Sequence, residues 1–205
     1  AKALKAGFSV ERISELTTID PWFIEKIRNI VELEEELRRR ASRVRQGLEP
    51  GLLEEAKRLG FSDRHIGLCI GLSEAEIRSL RKRLGILPVI KQIDTLAAEW
   101  PAQTNYLYLT YGGDKDDEVV VEGRRKAIVL GAGTYRIGSS VEFDWSTMNM
   151  VWALKNRGFE EVIVVNCNPE TVSTDYDMSD KLYFEEITLE KVLDIYEKEL
   201  SLIHI

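Results

Sequence analysis

Cysteine and histidine are scarce in this chain: Cys69, Cys167, His65 and His204 are all there are among 205 residues. The cysteines stand far apart with no C-x-x-C pair, so the sequence indicates neither a disulfide framework nor a zinc site. Cys167 as a nucleophile would need a base beside it, and with two histidines in the whole chain a buried structural thiol is the simpler reading. Long apolar runs are missing too. Nothing approaches a membrane span and the N-terminus lacks the apolar core of a signal peptide, so the chain reads as cytoplasmic, with no membrane partner. Positive charge is in deficit, 28 Lys and Arg against 35 Asp and Glu for a net charge of -7. That balance argues against a nucleic-acid surface, which rewards clustered cations. What remains, 31% charged and 44% hydrophobic residues, is the composition of a globular protein long enough for one large or two small domains.

The chain changes grammar half-way. Its first half is helical. Asp20-Pro21 is a helix start, with Asp as N-cap and Pro at the first helical position, and Phe23, Ile24, Ile27, Ile30 and Val31 follow at helical spacing. The charged run from Glu32 to Arg40 continues that helix as a solvated surface. Ser73-Glu-Ala-Glu76 is a capping box, followed by Ile77, Leu80 and Leu84 with Gly85 as terminator. An offset of 53 residues places Gly7-Phe8-Ser9 on Gly60-Phe61-Ser62, Ile13 on Ile66, Ile19 on Leu72, Asp20 on Ser73, Ile24 on Ile77 and Arg28 on Arg81. Two copies of a short helix, a turn and a longer capped helix can bury their apolar faces on each other. The second copy also has the layout of a DNA-reading helix-turn-helix, with Gly71 in the turn and Arg78, Arg81, Lys82 and Arg83 on its second helix. A nucleic-acid-binding or other interaction module is therefore the rival reading, opposed by the glutamates on the matching helix of the first copy.

Residues 86–125 mix β-branched and aromatic residues with Pro88 and Pro101, as extended segments and turns do. The run "GGDKDDE" at 112–118 is the expected linker. Beyond Arg125 the pattern is α/β: a strand Ala127–Leu130, a glycine loop, a helix from about Val141 to Arg157 closed by Gly158, a strand Val162–Val165, a short strand near Leu182 to Phe184, and a helix from about Leu189. The expected fold class is thus α plus α/β, a duplicated helix-turn-helix domain over 1–111, a linker over 112–125, and a partial Rossmann-like parallel domain over 126–205. Such sheets place their sites beyond the carboxyl ends of the strands, here the loops after Leu130 and Val165.

The first of those loops, "VLGAGTYRIGSS", nearly fits two nucleotide motifs. Gly131, Gly133 and Gly138 give G-x-G-x-x-x-x-G, two residues too long for the dinucleotide fingerprint. Asn166 ends the next strand where an NAD site usually has an acid. Gly133, Gly138 and Ser140 match the phosphate-loop pattern, but Ser139 stands where its lysine must be. Both motifs fail at the residue that carries the chemistry, so no cofactor is expected in this chain. The glycines are expected to turn the chain sharply off the strand into a helix whose positive end faces the turn, where a small anion could pause.

"VIVVNCNPETVSTDYDMSDKLYFEEITLEKVLDIYEKE" and "AIVLGAGTYRIGSSVEFDW" resemble the large subunit of carbamoyl-phosphate synthase, in the domain that precedes the second of its two ATP-grasp units. "KQIDTLAAEW" and "IDPWFIEKI" resemble the helical oligomerisation domain that joins its two synthetase halves. The resemblance covers nearly the whole chain, and the run of Asn, Pro, Ser and Thr over 166–175 is its most specific part. It implies an ATP-dependent ligase of pyrimidine and arginine biosynthesis that makes carbamoyl phosphate from bicarbonate, ammonia and two ATP. A separate glutaminase small subunit usually supplies the ammonia, and carbamate passes between the halves through an internal tunnel. ATP, Mg or Mn, and K belong to parts of that enzyme that nothing here resembles, so the chain is expected to be a fragment inactive alone. Its implied partners are the rest of the large subunit, the glutaminase and further copies of itself, with no nucleic acid; the tail "LSLIHI" only loosely follows the family pattern.

By the same resemblance Arg136, Ser140, Glu142 and Glu170 fall along the carbamate passage, with Gly131, Gly133, Gly138, Asn166 and Asn168 as structural loop residues. A cation can guide a carbamate anion, and carboxylates can order water and exclude competing anions. Structural readings stand beside these: Ser139-x-x-Glu142 is itself a capping box, Asn168-Pro169 an ordinary turn, and Arg136 a partner for a nearby carboxylate. Many relatives have Gln-Gly where this chain has Ser139-Ser140.

Overall fold

The computed structural model describes residues 1–41, 48–102, 104–117, 125–131 and 141–200, the side chains of 141–143 and 200 excepted. The chain divides into two compact units, Ala1–Leu87 and Pro88–Ile205. The sequence reading extended the helical domain to 111, whereas strands over 89–92 and 106–110 are part of the sheet of the second unit.

The first unit is built from helices α1 (Lys2–Lys5), α2 (Val10–Thr17), α3 (Pro21–Arg40), α4 (Pro50–Arg58), α5 (Asp63–Ile70) and α6 (Glu74–Arg83). Four of the six starts have a side-chain cap. Ser9, Ser62 and Ser73 accept hydrogen bonds from the backbone N–H groups of Arg12, His65 and Glu76, and Asp20 accepts from Trp22 with Pro21 at the first helical position. The expected capping box is complete, with Glu76 accepting from the Ser73 N–H at 2.7 Å. Gly85, just past the end of α6, takes a φ of +74° that terminates the helix without a Cβ penalty.

The apolar stripe of α3 splits in two. Ile24, Val31, Leu33 and Leu37 are buried, while Trp22, Phe23, Ile27 and Ile30 remain exposed, because α2 and α5 cover one side of the helix. Arg81, expected on a basic reading face, is fully buried with its Nε 2.8 Å from Asp63 Oδ2. Lys57 Nζ meets the same carboxylate at 3.0 Å. The basic helix thus spends part of its charge inside the unit, and nothing among the described residues supports the nucleic-acid reading.

The second unit holds β1 (Val89–Gln92), β2 (Tyr106–Thr110), β3 (Lys126–Leu130), α7 (Val141–Asn156), β4 (Glu161–Val165), a 3-10 turn (Val172–Thr174), β5 (Lys181–Tyr183) and α8 (Leu189–Leu200). Sheet order is β1-β2-β5-β4-β3, with β1 antiparallel to β2 and the other pairs parallel. β4, between β5 and β3, is buried along its whole length, as a strand covered on both faces must be. Its alternation divides the core: Val162 and Val164 join Val129, Met148 and Val151 of α7, while Ile163 and Val165 join Leu107, Tyr183 and Ile195 of α8. Residues 112–117, read as linker, hold on to the sheet edge. Asp117 N donates to Ile90 O at 2.8 Å, and Asp116 accepts from Ile90 N at 2.7 Å and pairs with Lys198 at 2.9 Å.

At the amino ends of the parallel strands lies a closed ring of charge. Lys126 and Lys181 alternate with Glu161 and Glu199: Lys126 to Glu161 is 2.8 Å, Lys181 to Glu161 3.0 Å, Lys181 to Glu199 3.0 Å and Lys126 to Glu199 3.5 Å. All four side chains are buried, and Tyr183 donates its hydroxyl to Glu199. Burial opposes the charge on Lys181, but Glu199 and then Glu161 outweigh it and hold the ammonium above the usual lysine range.

Candidate functional site

The two loops singled out from sequence meet at the carboxyl ends of β3 and β4. Gly131 N donates to Val165 O at 2.9 Å, continuing the ladder one residue beyond β3. A Cβ on Gly131 would lie 2.8 Å from Asn166 Nδ2 and 2.9 Å from its Cγ, so the close approach of the loops requires glycine here.

Beyond Asn166 the chain forms a compact loop held by its own side chains. Asn166 N donates to Tyr183 O at 3.0 Å, and Asn166 Nδ2 reaches Ser173 Oγ at 3.3 Å. Two successive Asx turns follow. Asn168 N donates to Asn166 Oδ1 and Glu170 N to Asn168 Oδ1, each at 3.1 Å, the mimicry of a backbone turn for which asparagine is suited. Thr174 Oγ1 donates to Asn168 O at 3.0 Å and is within 2.7 Å of Thr171 O. Asn166, Asn168, Thr171, Ser173 and Thr174 are all buried. A loop that satisfies its buried polar groups internally keeps a single shape without a ligand.

One anchor was not read from sequence. Asp144, in the first turn of α7, accepts from Val172 N at 2.9 Å and Ser173 N at 3.0 Å. Its carboxylate satisfies two amides at the start of the 3-10 turn and ties the loop to the helix. The contact spans 28 residues and its donors are main-chain groups, so no side-chain motif announces it. Glu170, expected along the passage, sits exposed on this loop. Gly133, Arg136, Gly138 and Ser140 lie outside the described residues, as does the side chain of Glu142. Between β3 and α7 an apolar groove of about 600 Å³, lined by Ile128, Leu130, Ser146, Thr147 and Met150, ends at Gly131.

A second constellation lies in the helical unit. Glu34 of α3 and His65 and Cys69 of α5 bring a carboxylate oxygen, an imidazole nitrogen and a thiol sulfur within 4.8 Å of one another. The sequence showed it only as His65-x-x-x-Cys69, the spacing that puts two side chains on one helical face; the third member comes from another helix.

Comparison with known proteins accounts for both units. Residues 1–85 match the carbamoyl-phosphate synthetase large chain oligomerisation domain, and residues 123–203 match the carbamoyl phosphate synthase preATP-grasp domain. The chain belongs to the carbamoyl phosphate synthase large-chain family. It is 52% identical to the carbamoyl phosphate synthase large chain of Hyperthermus butylicus, over 99% of this chain and 19% of that protein. It is 54% identical to the arginine-specific large chain of Eremothecium gossypii, over 97% of this chain and 18% of the relative. With the mitochondrial carbamoyl-phosphate synthase [ammonia] of Aquarana catesbeiana it shares 48% over 97% of its length and 13% of the relative. The chain therefore spans less than a fifth of the length of these relatives. The preATP-grasp match contains β3, α7, β4, β5 and both candidate loops, and the oligomerisation match ends just before the division between the units.

Proposed function

We propose that this chain works as a connecting piece of a carbamoyl phosphate synthase large chain, an ATP-dependent ligase acting on bicarbonate and ammonia, and that it carries out no chemistry alone. The carbamoyl phosphate synthase matches over both units support the family assignment, and the contact between Gly131 and Asn166 carries the site reading. It joins the glycine loop to a loop braced by its own hydrogen bonds and by Asp144, which suits a fixed wall better than a lid that must close on a nucleotide. In this reading the two loops line the route by which carbamate reaches the second phosphorylation site. Arg136 guides the anion, Glu142 and Glu170 order water along the route beside Ser140, and Gly133 and Gly138 are the loop residues that let the chain turn off the strand. ATP, Mg or Mn, and K act in other parts of the longer chain. A glutaminase subunit or free ammonia supplies the nitrogen in the cytoplasm.

The test uses a full-length large chain of this family carrying the sequence. Glu142→Leu is expected to leave bicarbonate-dependent ATP hydrolysis within about twofold and to lower transfer of phosphate to carbamate made in the first half by at least about tenfold, the two activities separating because supply is obstructed and the catalyst is not. If both fall together, or neither moves, Glu142 is only a helix cap. The 205-residue chain itself is expected to release no phosphate from ATP with or without bicarbonate.

The helical unit is read as two copies of one capped helix pair, offset by 53 residues, that pack on each other and self-associate. The exposed Trp22, Phe23, Ile27 and Ile30 form the apolar surface for that contact. Light scattering on Ile27→Asp should show a smaller species than the parent chain at equal concentration; an unchanged mass would move the contact elsewhere.

A further inference from the structure

We propose that Glu34, His65 and Cys69 form a binding site for one thiophilic divalent cation, Zn2+ first among them. The inference concerns the helical unit and stands whether or not the passage reading holds.

The geometry is most of the argument. His65 and Cys69 are one turn apart on α5, and α3 packs against that face to deliver Glu34. The three donor atoms already lie within 4.8 Å of one another, and zinc with bonds of about 2.0–2.3 Å holds neighbouring tetrahedral ligands roughly 3.5 Å apart. Side-chain rotations of about an ångström close the set without moving a helix. Thiolate, imidazole and carboxylate together suit zinc, cobalt or cadmium, and not magnesium or calcium, which require oxygen donors. The imidazole is also in contact with Phe61, the two rings tilted by 33° with centroids 4.9 Å apart, which limits how far the His65 ring can turn. Glu34 and Cys69 are buried, so a bound ion would be shielded from competing solvent.

The present occupants of Glu34 define the competition. Lys5 Nζ lies 2.6 Å from its Oε2 and Arg38 donates to its Oε1 from 2.9 Å. Both cations have long side chains, 42% and 54% exposed, that can turn into solvent when a metal takes the carboxylate. On binding, the Cys69 S–H bond breaks, its proton passes to solvent and a sulfur–metal bond forms, with no change of oxidation state. Three protein ligands leave a fourth position for water. A filled site would clamp α3 to α5.

The test titrates the purified chain, stripped with chelator, with Zn2+, and with Co2+ as a spectroscopic probe. Expected are one equivalent of Zn2+ bound with Kd below about 10 µM, and a near-ultraviolet sulfur-to-cobalt band with tetrahedral visible bands that Zn2+ bleaches. His65→Gln and Cys69→Ser should each weaken binding by at least about tenfold, and Lys5→Ala should strengthen it severalfold because a competitor for Glu34 is gone. Cys167→Ser should bind as the parent does. His65 is only partly buried, so its variant is expected to fold, and it decides the matter with Lys5→Ala if Cys69→Ser does not. The proposal is overturned by an absence of saturable binding below about 100 µM, by a cobalt spectrum without the sulfur band, or by His65→Gln binding as tightly as the parent.

Discussion

At Gly131 the missing side chain is a packing requirement. The sequence marks this glycine for a sharp turn, yet its backbone is not left-handed, as those of Gly7, Gly60, Gly71, Gly85 and Gly158 are among the described residues. Instead Asn166 occupies the place where a Cβ would stand, at 2.8–3.0 Å. Gly131→Ala should therefore cost about 1–3 kcal/mol, the usual penalty of overpacking a tight site. Asn166→Ala should cost its own hydrogen bonds but absorb much of that penalty, so the double variant should be more stable than the sum of the singles predicts. Urea unfolding of the four proteins gives the coupling directly; additive costs would mean the loops do not press on each other. Residue identities that depend on one neighbour in sequence were legible: the Asp20 and Ser73 caps, the capping box and Gly85. Identities that depend on a neighbour in space were not. Asp144 looks like any first-turn acid of a helix, and Cys69 like a buried thiol, until α3 and the loop after β4 arrive beside them.

Among the elements, the helices and strands after Arg125 fall within about a residue or two of their sequence pattern, the disagreement expected between any two boundary definitions, whereas β1 and β2 were legible only as extended segments. The alternation of β4 could not show that both of its faces are covered, since a short wholly apolar run has no period to read. The first half was harder for a physical reason. An apolar stripe that continues round α3 reads as one core face, but the packing divides it into a buried and an exposed row. The two helix pairs also differ where their pattern agrees. Positions Lys57, Asp63 and Arg81 of the second pair, a buried charge cluster, correspond at the 53-residue offset to Leu4, Val10 and Arg28 of the first. Asp63 is the carboxylate that Lys57 and Arg81 share, and its removal takes a buried ion-pair partner from both, so Asp63→Ala should destabilise by about 3–5 kcal/mol. Replacing the set together with Lys57→Leu, Asp63→Val and Arg81→Met should cost far less, because an apolar cluster of similar volume needs no compensation. Thermal and denaturant unfolding of the two variants test this. Equal losses would show that the charges, and not only their mutual balance, are needed for the fold.

On the scale of the molecule, the second unit is organised by opposition. Its loops gather at the carboxyl ends of β3 and β4, while at the amino ends the ring of Lys126, Glu161, Lys181 and Glu199 joins three strands to α8. Sequence patterns reveal the strands but not the ring, since each member looks like the ordinary charged residue that opens a strand or closes a helix. The ring makes a prediction about pH. A lysine whose pKa is raised on folding contributes stability that is fully present below its unfolded value, about 10.4, and is lost as pH rises through the higher folded value. Lys181 is raised in this way, burial opposing the charge and Glu199 with Glu161 prevailing. Deprotonation would leave two buried carboxylates with Lys126 as the ring's remaining cation. The unit should therefore hold steady through pH 8 and 9 and lose stability beyond about pH 10, with α8 released along with the strand ends because Glu199 is its contribution to the ring. Lys181→Met should be less stable than the parent at pH 8, where the parent still has its full ring, and its stability should fall less between pH 9 and 11. Denaturant unfolding followed by far-ultraviolet circular dichroism across that range measures both slopes. Parallel curves for parent and variant would locate the alkaline loss elsewhere, in the tyrosines or the surface lysines, and would show that the ring holds the sheet without responding to pH.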